Sequence, residues 1–275
     1  MTSLIYSEFE RLWQRKWVWI IFLAIPVVSY FTASYFLWLN SMTSPESMNY
    51  TPSSKLMFSG LSLYLPIICN FAVLPFVTTI FTEEFRRGQL RLLFLRQYSR
   101  GRIFISKMIV LCTTVLLLLI VFGMCMGITG LVRLPAAVGI TQGVYNPSIA
   151  TDTIFQDTLK QYLLAYATLL GLCSLTSFIA MYCKDVTYAI GIGFGYIIIP
   201  LIFERLIYDF GAGMPPLLNG IIALVFIPLM QRYGIHHALV GNNFVLVLLL
   251  IILLVHIVAC VWLAYRRFVY EDYMH

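Results

Sequence analysis

Charge is scarce in this chain. Only 11% of its 275 residues are Asp, Glu, Lys or Arg, while 60% are hydrophobic. A water-soluble globule of this length cannot hide so much apolar surface, so lipid must act as solvent. Cysteine chemistry is absent too. Cys69, Cys112, Cys125, Cys173, Cys183 and Cys260 all fall in or beside apolar runs. None forms a CxxC and none has histidine at zinc-ligand spacing, so they read as small hydrophobes and no metal is expected. A phosphate-cradling G-x4-G-K-[ST] loop is missing, and none of the five lysines follows a glycine. The chain therefore does not hydrolyse ATP itself. The first apolar run, from Val18, is too long for a cleavable signal and no A-x-A site follows it.

What is present is a series of long oily runs. A membrane helix needs about 20 apolar residues. Stretches 18–39, 61–81, 104–131, 162–183, 186–207 and 243–264 meet that length. Segment 217–230, LLNGIIALVFIPLM, is shorter and contains Asn219, Gly220 and Pro228, which suits a re-entrant segment before the last span. The expected fold class is an all-α polytopic membrane protein, a single transmembrane domain of six spans over residues 1–275.

Orientation follows from the basic residues. With the N-terminus in the cytoplasm, the inside segments hold 13 of the 18 Lys and Arg, and the outside segments hold Lys55, Arg133, Lys160, Arg205 and Arg232. A seventh span would put Arg266 and Arg267 outside and weaken that bias. Both termini are therefore expected in the cytoplasm. Trp13, Trp17, Trp19 and Trp262 then gather at the inner interface, with Trp38 at the outer one.

Two cytoplasmic features stand out. Residues 1–17 place Leu4, Ile5, Phe9, Leu12 and Trp13 on one helical face and polar residues on much of the other, which predicts an interfacial amphipathic helix. Glu8, Arg11 and Arg15 are its candidate functional residues, as an anchor or as a hold for a cytoplasmic partner. Residues 82–103 form the second feature. The stretch TEEFRRGQLRLLFLRQYSRGRIFISK (82–107) carries seven Lys or Arg and the pair Glu83–Glu84. Glu83 and Arg87 are four apart and can pair on one helix face. Gly88 interrupts the helix, 89–95 reads as a short amphipathic helix, and Ser99 is a plausible N-cap for the third span. Positive-inside bias accounts for the arginines. It does not account for the glutamates or for the apolar Leu92–Leu95 segment, which needs something to pack against.

Glu84-x3-Gly88, then leucines, then Ser99-Arg100, then Lys107 resembles the cytoplasmic loop of ABC-2-type transporter permeases, whose usual pattern is E-x3-G-T, a leucine-rich turn, P-x-S-R and a Lys entering the third span. Gln89 stands where Thr is common and Gln97 where Pro is usual. The motif covers about 25 residues, and the six-span layout extends the likeness to the whole chain. The resemblance implies that the loop is a coupling helix seated on a separate ATP-binding subunit. By that resemblance Glu83, Glu84, Arg86, Arg87, Gly88, Arg91, Leu92 and Leu93 form the ATPase-coupling interface. Two ATPase subunits and a second permease, either a copy or a paralogue, are the implied partners beside the lipid bilayer. ATP and magnesium would belong to the ATPase, with no cofactor in this chain and no nucleic acid. A bacterial cell membrane is the implied location.

Gly123 and Gly127 in the third span, and Gly191 and Gly195 in the fifth, are candidate helix-packing positions, because small residues let helices approach in lipid. The six spans hold almost no charge, which argues against a proton- or sodium-driven carrier and favours a hydrophobic or amphipathic cargo such as an antimicrobial peptide or a drug. Two other readings compete. Glu83-Glu84 with Arg87 is similar to the glutamate-pair motif of CAAX-type intramembrane proteases. That motif needs its Arg at 88, which is Gly, and His236 and His237 fall on the predicted outer side. An orphan sensor or scaffold of permease ancestry is the other.

Overall fold

The computed structural model describes residues 1–44, 47, 50–86, 99–136, 151–183, 185–206, 224–239 and 243–270, without the side chains of 83–86, 151–153. The described residues are helical and contain no strand. The main elements are α1 (Thr2–Trp13), α2 (Lys16–Ser41), α3 (Leu56–Tyr64), α4 (Asn70–Arg86), α5 (Arg100–Arg133), α6 (Thr151–Tyr182) and α7 (Val186–Ile202). Two short pieces, α8 (Ile227–Leu229) and α9 (Ile235–Leu239), precede α10 (Asn243–Tyr270). A π-helical turn, Leu65–Cys69, joins α3 to α4, and a second, Met230–Gly234, joins α8 to α9.

Five helices are long and apolar enough to cross a membrane: Lys16–Ser41, Ser53–Thr82, Arg100–Arg133, Ile154–Tyr182 and Asn243–Tyr270. Val186–Ile202 is apolar but shorter, at 17 residues. The chain is thus an all-α, multi-pass membrane protein. Its outward faces confirm the choice of solvent. Leu23, Val27 and Phe31 of α2, and Ile251, Leu254 and Val258 of α10, are exposed large hydrophobics. No water-soluble monomer presents such continuous apolar stripes.

Helices overrun the oily stretches at several ends. The third span was expected over 104–131, yet α5 runs from Arg100 to Arg133. Ser99 does hold the N-cap position with extended backbone, although its hydroxyl makes no cap bond. Segment 132–161 reads as a polar outer loop, but from residue 151 it already belongs to α6. The extra turns make polar contacts: Lys160 sits 3.8 Å from Asp157, and Gln161 Nε2 donates to Ser62 Oγ at 2.6 Å. Polarity there marks the water layer and does not end the helix.

Two clamps define the ends of the bundle. At one end Asn40 grips the backbone of Thr51, donating from Nδ2 to its carbonyl at 2.8 Å and accepting its N–H at 2.9 Å. Arg133 lies over the Tyr30 ring at 4.2 Å and donates to Ser34 Oγ. At the other end Phe104 touches Phe81, Tyr265 and Phe268, with ring centroids 5.5–5.7 Å apart. Arg100 there donates to the Val269 carbonyl at 2.8 Å. The end of α4, the start of α5 and the end of α10 therefore share one side with α1.

Candidate functional site

The basic end carries a buried ion pair. Helix α1 presents Leu4, Glu8 and Leu12 at four-residue spacing, and all three are buried. Glu8 therefore lies on the apolar stripe, not on the polar face. Its Oε2 accepts from Lys107 Nζ at 3.1 Å and from Arg11. Lys107, wholly buried in α5, also donates to the carbonyl of Ile80 at 3.3 Å. Ile80 lies six residues before the end of α4. One ammonium thus ties the amphipathic helix, the third span and the last turns of α4, the helix that leads into the basic segment 82–107.

The corner between α1 and α2 is fixed in the same region. Trp19 Nε1 donates to the Trp13 carbonyl at 2.9 Å, occupying one of the carbonyls that α1 leaves open at its end. Trp13 also packs on Phe9 and Phe22. Arg15 holds the extended N-cap position of α2. With its buried leucines and its fixed corner, α1 is packed onto the bundle as well as amphipathic.

A second polar junction lies deep between helices. Asn70 and Gln231 exchange two side-chain hydrogen bonds, at 2.6 and 3.0 Å, and Gln231 also donates to Thr168 Oγ1 at 3.3 Å. Asn70 Nδ2 also donates to the Pro66 carbonyl inside the π turn. Asn70 and Thr168 are completely buried and Gln231 nearly so. This junction joins one π turn to the other, and π turns concentrate at functional sites. Near the opposite end, Glu204 accepts from Tyr233 and pairs with Arg232 at 3.3 Å. Residues 230–234 are thereby held to α4, α6 and the stretch after α7.

The residues expected to form a coupling interface fall differently. Glu83, Glu84 and Arg86 belong to the end of α4, where the backbone alone is described. Arg87, Gly88, Arg91, Leu92 and Leu93 lie outside the described residues, as does the first half of segment 217–230. From 224 onward that segment is helical, with Leu224, Ile227, Leu229 and Met230 buried.

The glycines separate into groups. A Cβ on Gly123 would meet the Tyr162 ring at 3.0 Å, and one on Gly127 would meet Met57 Sδ at 3.3 Å. Both also line an apolar cleft of about 570 Å³ between α5 and α6, rimmed by Met124, Ile128, Phe155 and Leu159. In α7 the close approach is at Gly193, where a Cβ would come within 2.6 Å of Leu74. Gly191 faces no atom within 4 Å, and a Cβ on Gly195 meets only Ile199 of its own helix at 3.7 Å.

Sequence reasoning missed the two polar clusters. Lys107 lies inside the expected third span, so one intramembrane charge was present to be found. Its signal was a lysine in an apolar run together with a carboxylate on an apolar helical stripe, since neither charge is stable in such surroundings alone. Asn70 and Gln231 gave a weaker signal, an amide inside a span and another just past a Pro-containing apolar segment. Among the described residues no three His, Cys, Asp or Glu side chains converge as metal ligands. The sequence profile of the family described as "ABC-2 family transporter protein" matches residues 4–200, from α1 into α7. No curated protein matches the chain.

Proposed function

The chain belongs to the ABC-2 family of transporter proteins, and we propose that it is the permease of an ATP-driven exporter whose ATPase is a separate chain. Permeases of this family are membrane components and are not themselves the ATPase; they normally work with an ABC ATPase subunit. The observation that carries the reading is the family match across the whole N-terminal region, including the basic segment 82–107. The Lys107 contacts support it, because they attach α1 to the last turns of α4 ahead of that segment.

In this reading residues 82–103 are the coupling loop, with Glu83, Glu84, Arg86, Arg87, Gly88, Arg91, Leu92 and Leu93 on the ATPase. ATP and magnesium act in that partner. Closure of two ATPase subunits would move two coupling loops, one on each permease half, and the spans would follow as packed units. Helix α7 is the fifth of the six spans. At about 1.5 Å per residue its 17 residues reach roughly 25 Å, nearly the hydrocarbon thickness. Residues 224–239 then dip into the bilayer from the outer side, and the bond between Gln231 and Asn70, an asparagine within the second span, supports that depth. The basic end faces the cytoplasm of a bacterial cell. The lipid-facing apolar cleft and the scarcity of charge in the spans favour a hydrophobic or amphipathic cargo, such as a peptide or a drug.

The test is coupling. Glu84→Ala and Gly88→Pro are expected to leave membrane insertion intact and to separate ATP hydrolysis from transport in the reconstituted complex. Wild-type transport in both variants would remove the coupling-loop assignment. Purification in mild detergent is expected to retain an ATPase subunit, and reversal of charge at Arg86 and Arg87 to release it.

A further inference from the structure

The cleft of about 570 Å³ between α5 and α6 runs with the helices. On α5 its wall advances turn by turn from Leu116 through Ile120, Met124 and Ile128 to Leu131, and on α6 from Tyr166 to Phe155. From 116 to 131 an α-helix rises about 22 Å, and the hydrocarbon of one leaflet is about 15 Å deep. The cleft therefore reaches along one leaflet, the one away from the basic end. Gly123, which has no side chain, and the buried Leu119 and Thr158 set its floor. Met124, Ile128, Leu159 and Leu163 on its rim are exposed, so it opens sideways to lipid. Among the described residues that line it, none is charged. Three carry hydroxyls, and each already donates to a backbone carbonyl: Thr158 Oγ1 to Ile154 at 2.7 Å, Tyr166 to Cys112 at 3.3 Å and Tyr162 to Met57 at 3.5 Å.

We propose that this cleft retains one acyl chain of a membrane phospholipid as a resident ligand, with the headgroup beyond Leu131 and Phe155. Its length and direction match an extended chain lying parallel to its neighbours in the leaflet. Its chemistry excludes the alternatives. The wall offers a ligand no charge and no idle donor, so a peptide or a polar drug would leave its own carbonyls unpaired out of water. A hydrocarbon chain has no such groups, and the exposed rim lets it enter from the bilayer. Recognition therefore lies in the chain and not in the headgroup. The inference uses only the walls of the cleft, so it stands whether or not the chain couples to an ATPase.

Native mass spectrometry of the full chain, purified with whatever subunit accompanies it, tests the site. Phosphatidylglycerol and phosphatidylcholine of the same acyl composition are the probes. Wild type is expected to retain the two equally. Met124→Trp and Leu159→Trp, which fill the cleft from opposite walls at exposed positions, should each retain them about ten-fold less, as overpacking by one ring system would give. Ile251→Trp, on the exposed face of α10 outside the cleft, should match wild type. Unchanged retention in both cleft variants, or an equal loss in Ile251→Trp, overturns the site. A preference for one headgroup overturns recognition by the chain. Absence of lipid from wild type, with a dimer that Met124→Trp dissociates, gives the cleft to a second copy and overturns the lipid. Loss of the lipid during ATP turnover by the complex makes it cargo and overturns the resident assignment.

Discussion

Lys107 Nζ stands 3.1 Å from Glu8 Oε2, with the two residues 99 positions apart in sequence and neither side chain open to solvent. A buried pair like this is a weak source of net stability, because removing two ions from water costs several kcal/mol each. Removing one partner is different, since it strands the other. Glu8→Gln and Lys107→Met are each expected to destabilise the protein by about 3–5 kcal/mol. The double variant should lose less than the sum of the two. Thermal unfolding in detergent, arranged as a double-mutant cycle, reads this directly. Additive losses would mean that the two groups do not interact.

Asn70 and Gln231 make the second prediction. Their network leaves no donor of either amide idle: Asn70 donates to Pro66 and Gln231, and Gln231 donates to Asn70 and Thr168. Gln231→Leu leaves the Asn70 amide short of a partner and should cost about 1–3 kcal/mol. Asn70→Leu should cost more than Gln231→Leu, because it also frees the Pro66 carbonyl. If residues 230–234 ride on α4 during transport, Gln231→Leu also lowers transport per ATP hydrolysed. A variant as stable as wild type, with unchanged coupling, would show that the junction is incidental.

The two predictions differ in how far the sequence anticipated them. Fold class was readable because apolar runs of span length have few alternatives in lipid. The end that gathers the basic residues was readable because side-of-membrane bias acts on Lys and Arg one at a time. Glu8 was harder. A helical wheel assigns it by angle, and the eye assigns it by charge; the structure follows the angle and supplies Lys107 to make that possible. The Asn70–Gln231 bond depends on two π turns, and no local sequence rule announces those beyond Pro66 and Pro228. Gly191, Gly193 and Gly195 look alike in sequence. Only the position of Leu74 separates them.

That separation is itself testable. Gly191→Ala meets nothing within 4 Å and removes a glycine from a helix, so it should be neutral or stabilise by up to about 1 kcal/mol. Gly130→Ala should destabilise. Its Cβ would lie 2.9 Å from the Ser53 carbonyl oxygen and 3.2 Å from Leu56 Cβ, and a backbone carbonyl cannot swing aside. Gly193→Ala should fall between them, because the obstructing atom is the tip of the flexible Leu74 side chain. Thermal stability of the three variants gives the order. Equal effects at Gly130 and Gly191 would contradict the packing described between α3 and α5.

The last prediction concerns which ends share a face of the membrane. Arg100 donates to Val269, and Lys107 reaches Glu8, so α1, the start of α5 and the end of α10 lie together. A chain with six crossings meets that requirement if residues 224–239 enter and leave by one side. A seventh crossing there would send Tyr270 to the face opposite α1. The native cysteines are buried or half-buried, which keeps their background labelling low. Ser7→Cys, Arg205→Cys and Tyr270→Cys place a thiol at three exposed positions. With a membrane-impermeant maleimide, Ser7→Cys and Tyr270→Cys should label in inverted vesicles and Arg205→Cys in intact cells. Labelling of Tyr270→Cys and Arg205→Cys from the same side would break the six-crossing arrangement. It would also separate the aromatic contacts of Phe104 with Tyr265 and Phe268 that hold the basic end together.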